Sequence, residues 1–272
     1  MLNIKPYLRE IKLDVDDIEN RDVYPFNIPA LRKFTSMTFH PDVTFIIGEN
    51  GSGKSTLVEA IAMLLGFGQE GGTLNMQFKN ADTLSGLHEH LKGIRGASRP
   101  RDSYFLRAES FYNVATYIDE EIIEDERDKL IYLNAYGGKS MHNRSHGEVF
   151  FTTLTNKFHG KGLYILDEPE AALSPNRQMA ALAQIHDLVK RDSQFIIATH
   201  SPILMAYPRA KILLLGEDGM EEIRYEETEH YAITKQFLNN HKSMLDILLE
   251  EQLEFPLGPE DAPHGNEDGE EN

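Results

Sequence analysis

One octapeptide constrains this chain more than any other stretch: Gly48-Glu49-Asn50-Gly51-Ser52-Gly53-Lys54-Ser55, with Thr56 next. It is preceded by Val43, Thr44, Phe45, Ile46 and Ile47, a β-branched apolar run that reads as a buried strand. It is followed by Leu57, Ile61, Leu64 and Leu65 at helical spacing, and Gly66, Gly68, Gly71 and Gly72 stop that helix. A strand, a glycine loop and a helix in that order form a cradle for phosphate. Glycines let successive backbone N–H groups curl around anionic oxygens, and the helix starting near Gly53 turns its positive dipole end toward them. Lys54 is spaced to reach the β- and γ-phosphates of a nucleotide, and the Ser55 hydroxyl to take a place on Mg2+. The alternative is a glycine-rich turn with no ligand, and the flanking strand and helix argue against it.

A second apolar run, Leu163-Tyr164-Ile165-Leu166, delivers Asp167, Glu168, Pro169 and Glu170 at its C-terminal end. In a parallel sheet, ligands bind outside that edge. Asp167 is placed to hold Mg2+, directly or through water. Glu168, one residue on, is placed to orient or deprotonate an attacking water. An acidic pair at a strand end is most often a solvated turn, and the phosphate loop earlier in the chain is what reverses that reading.

The remaining pattern alternates strands with helices, which predicts an α/β layered sheet. Extended stretches are expected at 7–15 and 36–39, then strands at 104–107, 194–199 and 212–215. A hairpin is expected across Asp218-Gly219. Helices are expected at about 116–129, 176–190 and 229–251, the last broken near Asn239-Asn240.

Composition narrows the function classes. The 272 residues include no cysteine, which excludes thiol catalysis, cysteine-zinc sites and iron–sulfur ligation. No stretch approaches the roughly 18 apolar residues of a membrane span, and Met1–Pro6 has no apolar signal core. A cytoplasmic protein with no direct membrane insertion is expected. The balance of 27 basic against 44 acidic residues gives a net charge of −17, which disfavours general polyanion binding. Residues 256–272 are acidic, without Lys or Arg, and are expected to form a disordered tail beyond a domain at 1–255. Against that charge, Lys92, Arg95, Arg99, Arg101 and Arg107 cluster in sequence, either as a local basic patch or as a solvated loop.

Four blocks occur in order: GENGSGKST at 48–56, RSHGE at 144–148, LYILDEPEAAL at 163–173 and FIIATHSP at 195–202. With them the chain resembles ABC-type P-loop ATPases, close to soluble single-domain AAA-family ATPases and to the heads of SMC- and OLD-like proteins. The resemblance implies a P-loop NTPase sheet with an N-terminal antiparallel β region and a helical signature region inserted at about 73–160. It implies ATP at residues 48–56, Mg2+ at Ser55 and Asp167, and catalysis by Glu168, with Lys54 and a γ-phosphate-sensing switch histidine, His200. Ser145, His146, Gly147 and Glu148 match the signature that covers the nucleotide of a partner subunit, although His146 replaces its first glycine. The position of Ser174 lacks the acid that many transporters carry there. Glu109 stands in for the glutamine loop, with Gln77 a poorer match, and Phe34 or Phe39 is offered for adenine.

The implied assembly is an ATP-dependent homodimer with two sandwiched nucleotides, driving a change in a protein partner that the motifs do not name. The alternatives are a nucleotide-dependent switch acting on nucleic acid, and the energising subunit of a membrane transporter. The interval from Thr56 to Ser145 is too short for long coiled-coil arms, and no cysteine is present for a zinc hook.

Overall fold

A computed structural model of the chain describes residues 4–69, 71–74, 85–107 and 146–253. Its strands are β1 (Leu8–Leu13), β2 (Ser36–Thr38), β3 (Val43–Ile47), β4 (Leu91–Arg95), β5 (Asp102–Arg107), β6 (Gly162–Asp167), β7 (Gln194–Ala198), β8 (Lys211–Gly216) and β9 (Gly219–Ile223). Its α-helices are α1 (Pro29–Arg32), α2 (Lys54–Leu65), α3 (His146–Asn156), α4 (Pro175–Lys190), α5 (Pro202–Met205) and α6 (Glu229–Leu253).

The larger sheet has the order β5-β6-β7-β3-β8-β9, parallel throughout except for the β8–β9 hairpin at its edge. Every residue of β3, β6 and β7 is buried, as a parallel sheet covered on both faces requires. Alternate side chains feed two cores. Phe45, Ile47, Tyr164, Leu166, Phe195 and Ile197 pack with α3 and α4 through Phe150, Leu154, Ala181 and Ile185. Ile46, Ile165, Ile196 and Ala198 face the other way, onto Leu57, Val58 and Ile61 of α2 and onto the smaller sheet.

That smaller sheet is antiparallel, in the order β2-β1-β4. The buried Gln194 side chain ties the two sheets together. Its Oε1 accepts from the N–H groups of Tyr7 (2.8 Å) and Leu8 (3.0 Å), and its Nε2 donates to the Leu8 carbonyl (2.8 Å). Register places Arg107 beside Asp167, and Asp167 beside Ala198, so three strands end together on one edge.

The α/β layering and the N-terminal antiparallel region agree with the sequence. Strand β4 was not expected. It joins the smaller sheet while β5 joins the larger, so the described part of 73–160 contributes strands to both. The predicted helix at 116–129 and the tail at 256–272 lie outside the described residues. Helix α6 kinks at Asn240, one of the two positions marked for a break. The chain divides into two compact units, Met1–Thr228 and Glu229–Asn272. Among the described residues, no helix is long and apolar enough to cross a membrane.

Candidate active site

The phosphate loop leaves β3 at the edge where the parallel strands end. Gly48 has φ +152°, and a Cβ there would stand 2.5 Å from the Leu215 carbonyl oxygen and 2.7 Å from Ser52 Oγ. Gly53, at the N-cap of α2, is left-handed with φ +94°. Only glycine fits the first position without displacing backbone, and the second favours it conformationally. Lys54 is buried. Its Nζ donates to the loop's own carbonyls, Gly48 O at 3.0 Å and Glu49 O at 2.8 Å. Burial pushes its pKa down, while the carboxylates of Glu168, Asp167 and Glu170 oppose that shift. Ser52 Oγ is buried without a hydrogen-bond partner among the described residues. An orphaned hydroxyl, a glycine cradle and an ammonium curled onto loop carbonyls together suit a phosphate ligand.

Ser55, in the first turn of α2, donates to Asp167 Oδ1 at 3.3 Å, so the two oxygen ligands expected for Mg2+ are in contact. Both are hard oxygen donors of the kind Mg2+ takes beside phosphate. Asp167 is buried at the end of β6. Next to it, Glu168 adopts a left-handed conformation, φ +50° and ψ 52°, which a residue with a Cβ enters at a cost of about 1–3 kcal/mol. Its N–H is held by the Ala198 carbonyl at 3.0 Å and Pro169 is buried behind it, so the turn is fixed by its surroundings. The Glu168 carboxylate lies 3.7 Å from Nε2 of His200, the first residues beyond β7 having brought the imidazole across. The structure thus unites Lys54, Ser55, Asp167, Glu168 and His200 at one sheet edge.

A family model described as an AAA domain matches residues 25–253. The chain belongs to the AAA domain family. A Bacillus cereus protein named as an ABC transporter ATP-binding protein is 25% identical over 206 residues, covering 70% of this chain and 36% of the relative. A Methanothermobacter thermautotrophicus protein of similar name is 24% identical over 213 residues, covering 75% of each. The chain therefore spans about a third of the length of the Bacillus relative. Among solved structures, the SMC head domain from Thermotoga maritima is 14% identical with a TM-score of 0.42, covering 80% of this chain and 98% of that one. The chain is an AAA domain of the P-loop, ATP-binding, ABC-like kind.

Of the signature in this AAA domain, Ser145 lies outside the described residues, and His146 opens α3. A Cβ on Gly147 would stand 2.2 Å from the Ala172 carbonyl oxygen, which places the first turn of α3 directly on the turn that follows Glu168. Glu148 pairs with Arg177 of α4 at 3.7 Å. Gly147→Ala should therefore destabilise the domain by about 1–3 kcal/mol, the usual cost of overpacking against backbone. Urea denaturation with an unchanged midpoint would show that the turn yields freely.

Several residues fall elsewhere than the sequence suggested. Phe34 and Phe39 are core residues, with 3% and 6% of their surface exposed, so neither is presented to an adenine. Tyr24 is 59% exposed, and its hydroxyl lies 3.2 Å from Thr56 Oγ1 beside the phosphate loop. Its signal in sequence was only that of an aromatic upstream of the loop. Glu109 and Gln77 lie outside the described residues. The basic run divides. Lys92 pairs with Asp14, and Arg101 lines a cleft with Lys161 and Arg191 at the opposite end of the strands. Arg107 is turned inward, 2.9 Å from Glu59 of α2 and 3.5 Å from Asp167. Sequence alone assigned no role to Glu59.

Proposed function

We propose that this chain binds MgATP and hydrolyses it, and that two copies close head-to-tail over two nucleotides to act on a protein partner. The observation that carries the reading is the convergence of the glycine cradle, the Ser55–Asp167 contact and the Glu168–His200 pair on one edge. In it, the N–H groups of residues 48–56 and Lys54 bind the phosphates, and Ser55 and Asp167 hold Mg2+. That ion, when bound, neutralises charge on the phosphoryl oxygens. Glu168 orients the attacking water and takes up its proton, and His200, in reach of Glu168, stands toward the γ-phosphate. Tyr24 suits the adenine better than the buried phenylalanines, because its exposed ring adjoins the loop.

In this scheme the signature segment of a second copy covers the γ-phosphate. A two-fold dimer completes two sites at once. Light scattering of the Glu168→Gln variant should give the mass of a monomer without nucleotide and of a dimer with MgATP. A persistent monomer at protein concentrations far above nucleotide saturation would remove the homodimer and leave a different partner chain.

A second reading, the energising subunit of a transporter, draws support from the names of the relatives above. The division of the basic run between Asp14, the remote cleft and the interior favours either reading over a nucleic-acid switch.

A further inference from the structure

The turn after Glu168 carries a second carboxylate whose position the ATPase reading does not use. Glu170 reaches back across the sheet edge to the exit of β7. Its Oε2 accepts from Thr199 Oγ1 at 2.7 Å, and its Oε1 accepts from the backbone N–H of His200. Thr199 is fully buried, and its Oγ1 also accepts from the Ser201 N–H at 3.0 Å. The single Thr199 proton is thereby directed to Glu170.

The bonds continue into a closed ring. Ser201 Oγ donates to Gln178 Oε1 of α4 at 2.6 Å, and Gln178 Nε2 donates to the Leu173 carbonyl at 2.9 Å. The Leu173 N–H in turn donates to the Glu170 carbonyl at 3.0 Å. The ring joins the turn after β6, the start of α4 and the exit of β7. These are the segments that set the 3.7 Å separation of Glu168 and His200.

We infer that Glu170 is a positioning residue that fixes His200 relative to Glu168, so that the two strand ends act as one unit in hydrolysis. The inference rests on the ATPase reading proposed above. Its chemistry explains why an acid stands there. Both donors, the Thr199 hydroxyl and the His200 N–H, point at Glu170, so the group must accept twice and donate nothing. Burial pushes the Glu170 carboxyl up, and the two donors pull it back toward the ionised form. An amide cannot meet the demand. Turned one way, its NH2 faces the His200 N–H; turned the other, its NH2 faces the Thr199 hydroxyl and takes away the acceptor of the Thr199 proton.

The test is a double-mutant cycle of Glu170→Gln and His200→Ala, read by kcat and by equilibrium binding of a fluorescent ATP analogue. Glu170→Gln is expected to lower kcat by about ten- to hundredfold, the scale of a misplacement near 1 Å, with nucleotide affinity unchanged. The double variant is expected to be no slower than His200→Ala alone. Effects that multiply, or a Glu170→Gln rate equal to wild type, would overturn the inference. Thr199→Val, which removes one donor and keeps the volume, should give a smaller loss of the same kind. A fully active Thr199→Val would likewise count against it. In the nucleotide-free protein, the imidazole proton resonance of His200 should move in Glu170→Gln, and a fixed resonance would overturn the inference whatever the turnover. A wild type without ATPase activity would instead defeat the ATPase reading, and the resonance would still decide the placement of His200.

Discussion

Replacing Glu168 with Gln should leave nucleotide bound and nearly stop its turnover, lowering kcat by about 10²–10⁴-fold, the usual contribution of a positioned general base. The substitution keeps the length and planar shape of the side chain and removes its capacity to take a proton. The fold has little reason to respond. The left-handed turn is held by the Glu168 N–H on Ala198 and by buried Pro169, neither of which involves the carboxylate. Phosphate release measured at saturating ATP, beside binding of a fluorescent ATP analogue, separates the two effects. A rate equal to wild type, once contaminating ATPase is excluded, would defeat the assignment of Glu168.

Lys54→Ala should weaken ATP binding by about 10- to 100-fold, since each hydrogen bond to a charged group is worth about 1.5–3 kcal/mol. Stability should move the other way or not at all. The Lys54 pKa is lowered by burial, so the folded state binds that proton less readily than the unfolded chain does. Below the folded pKa the buried cation is therefore a penalty on folding, and it disappears as pH rises past the unfolded pKa. Removing the ammonium relieves that penalty and gives up its bonds to the loop carbonyls of Gly48 and Glu49 and its attraction to Glu168, Asp167 and Glu170. Thermal unfolding at pH 7 together with the binding titration tests both halves. A large loss of stability would place Lys54 among the residues that hold the loop's shape.

What could be read from the chain alone was whatever is encoded within a few residues of itself. The phosphate loop has fixed spacing because backbone geometry sets it, and β3, β6 and β7 are continuous apolar runs because both their faces are covered. Strand β4 escaped notice because Lys92, Gly93, Ile94 and Arg95 are all exposed, leaving no alternation to detect. Arg107 was legible only as one more cation in a basic run. Its pairing with Glu59 and Asp167 depends on the approach of α2 to the ends of β5 and β6. Phe34 and Phe39 failed as adenine contacts for a related reason. Nothing local distinguishes an aromatic that fills the space beneath the smaller sheet from one that is offered to a ligand. Glu170 looked like part of an acidic turn, and its acceptor duty appears only when Thr199 and His200 arrive from β7.

The contact of Gly147 with the Ala172 carbonyl leaves no gap between helix α3 and the turn after Glu168. Two parts that touch without clearance cannot slide independently, so the helix and the turn form a single mechanical linkage. A pull on the first turn of α3 is delivered within a few residues of Glu168, and a shift of that turn is felt at the helix. The chain achieves this transmission with the smallest side chain available, at a joint where one methyl group would act as a spacer.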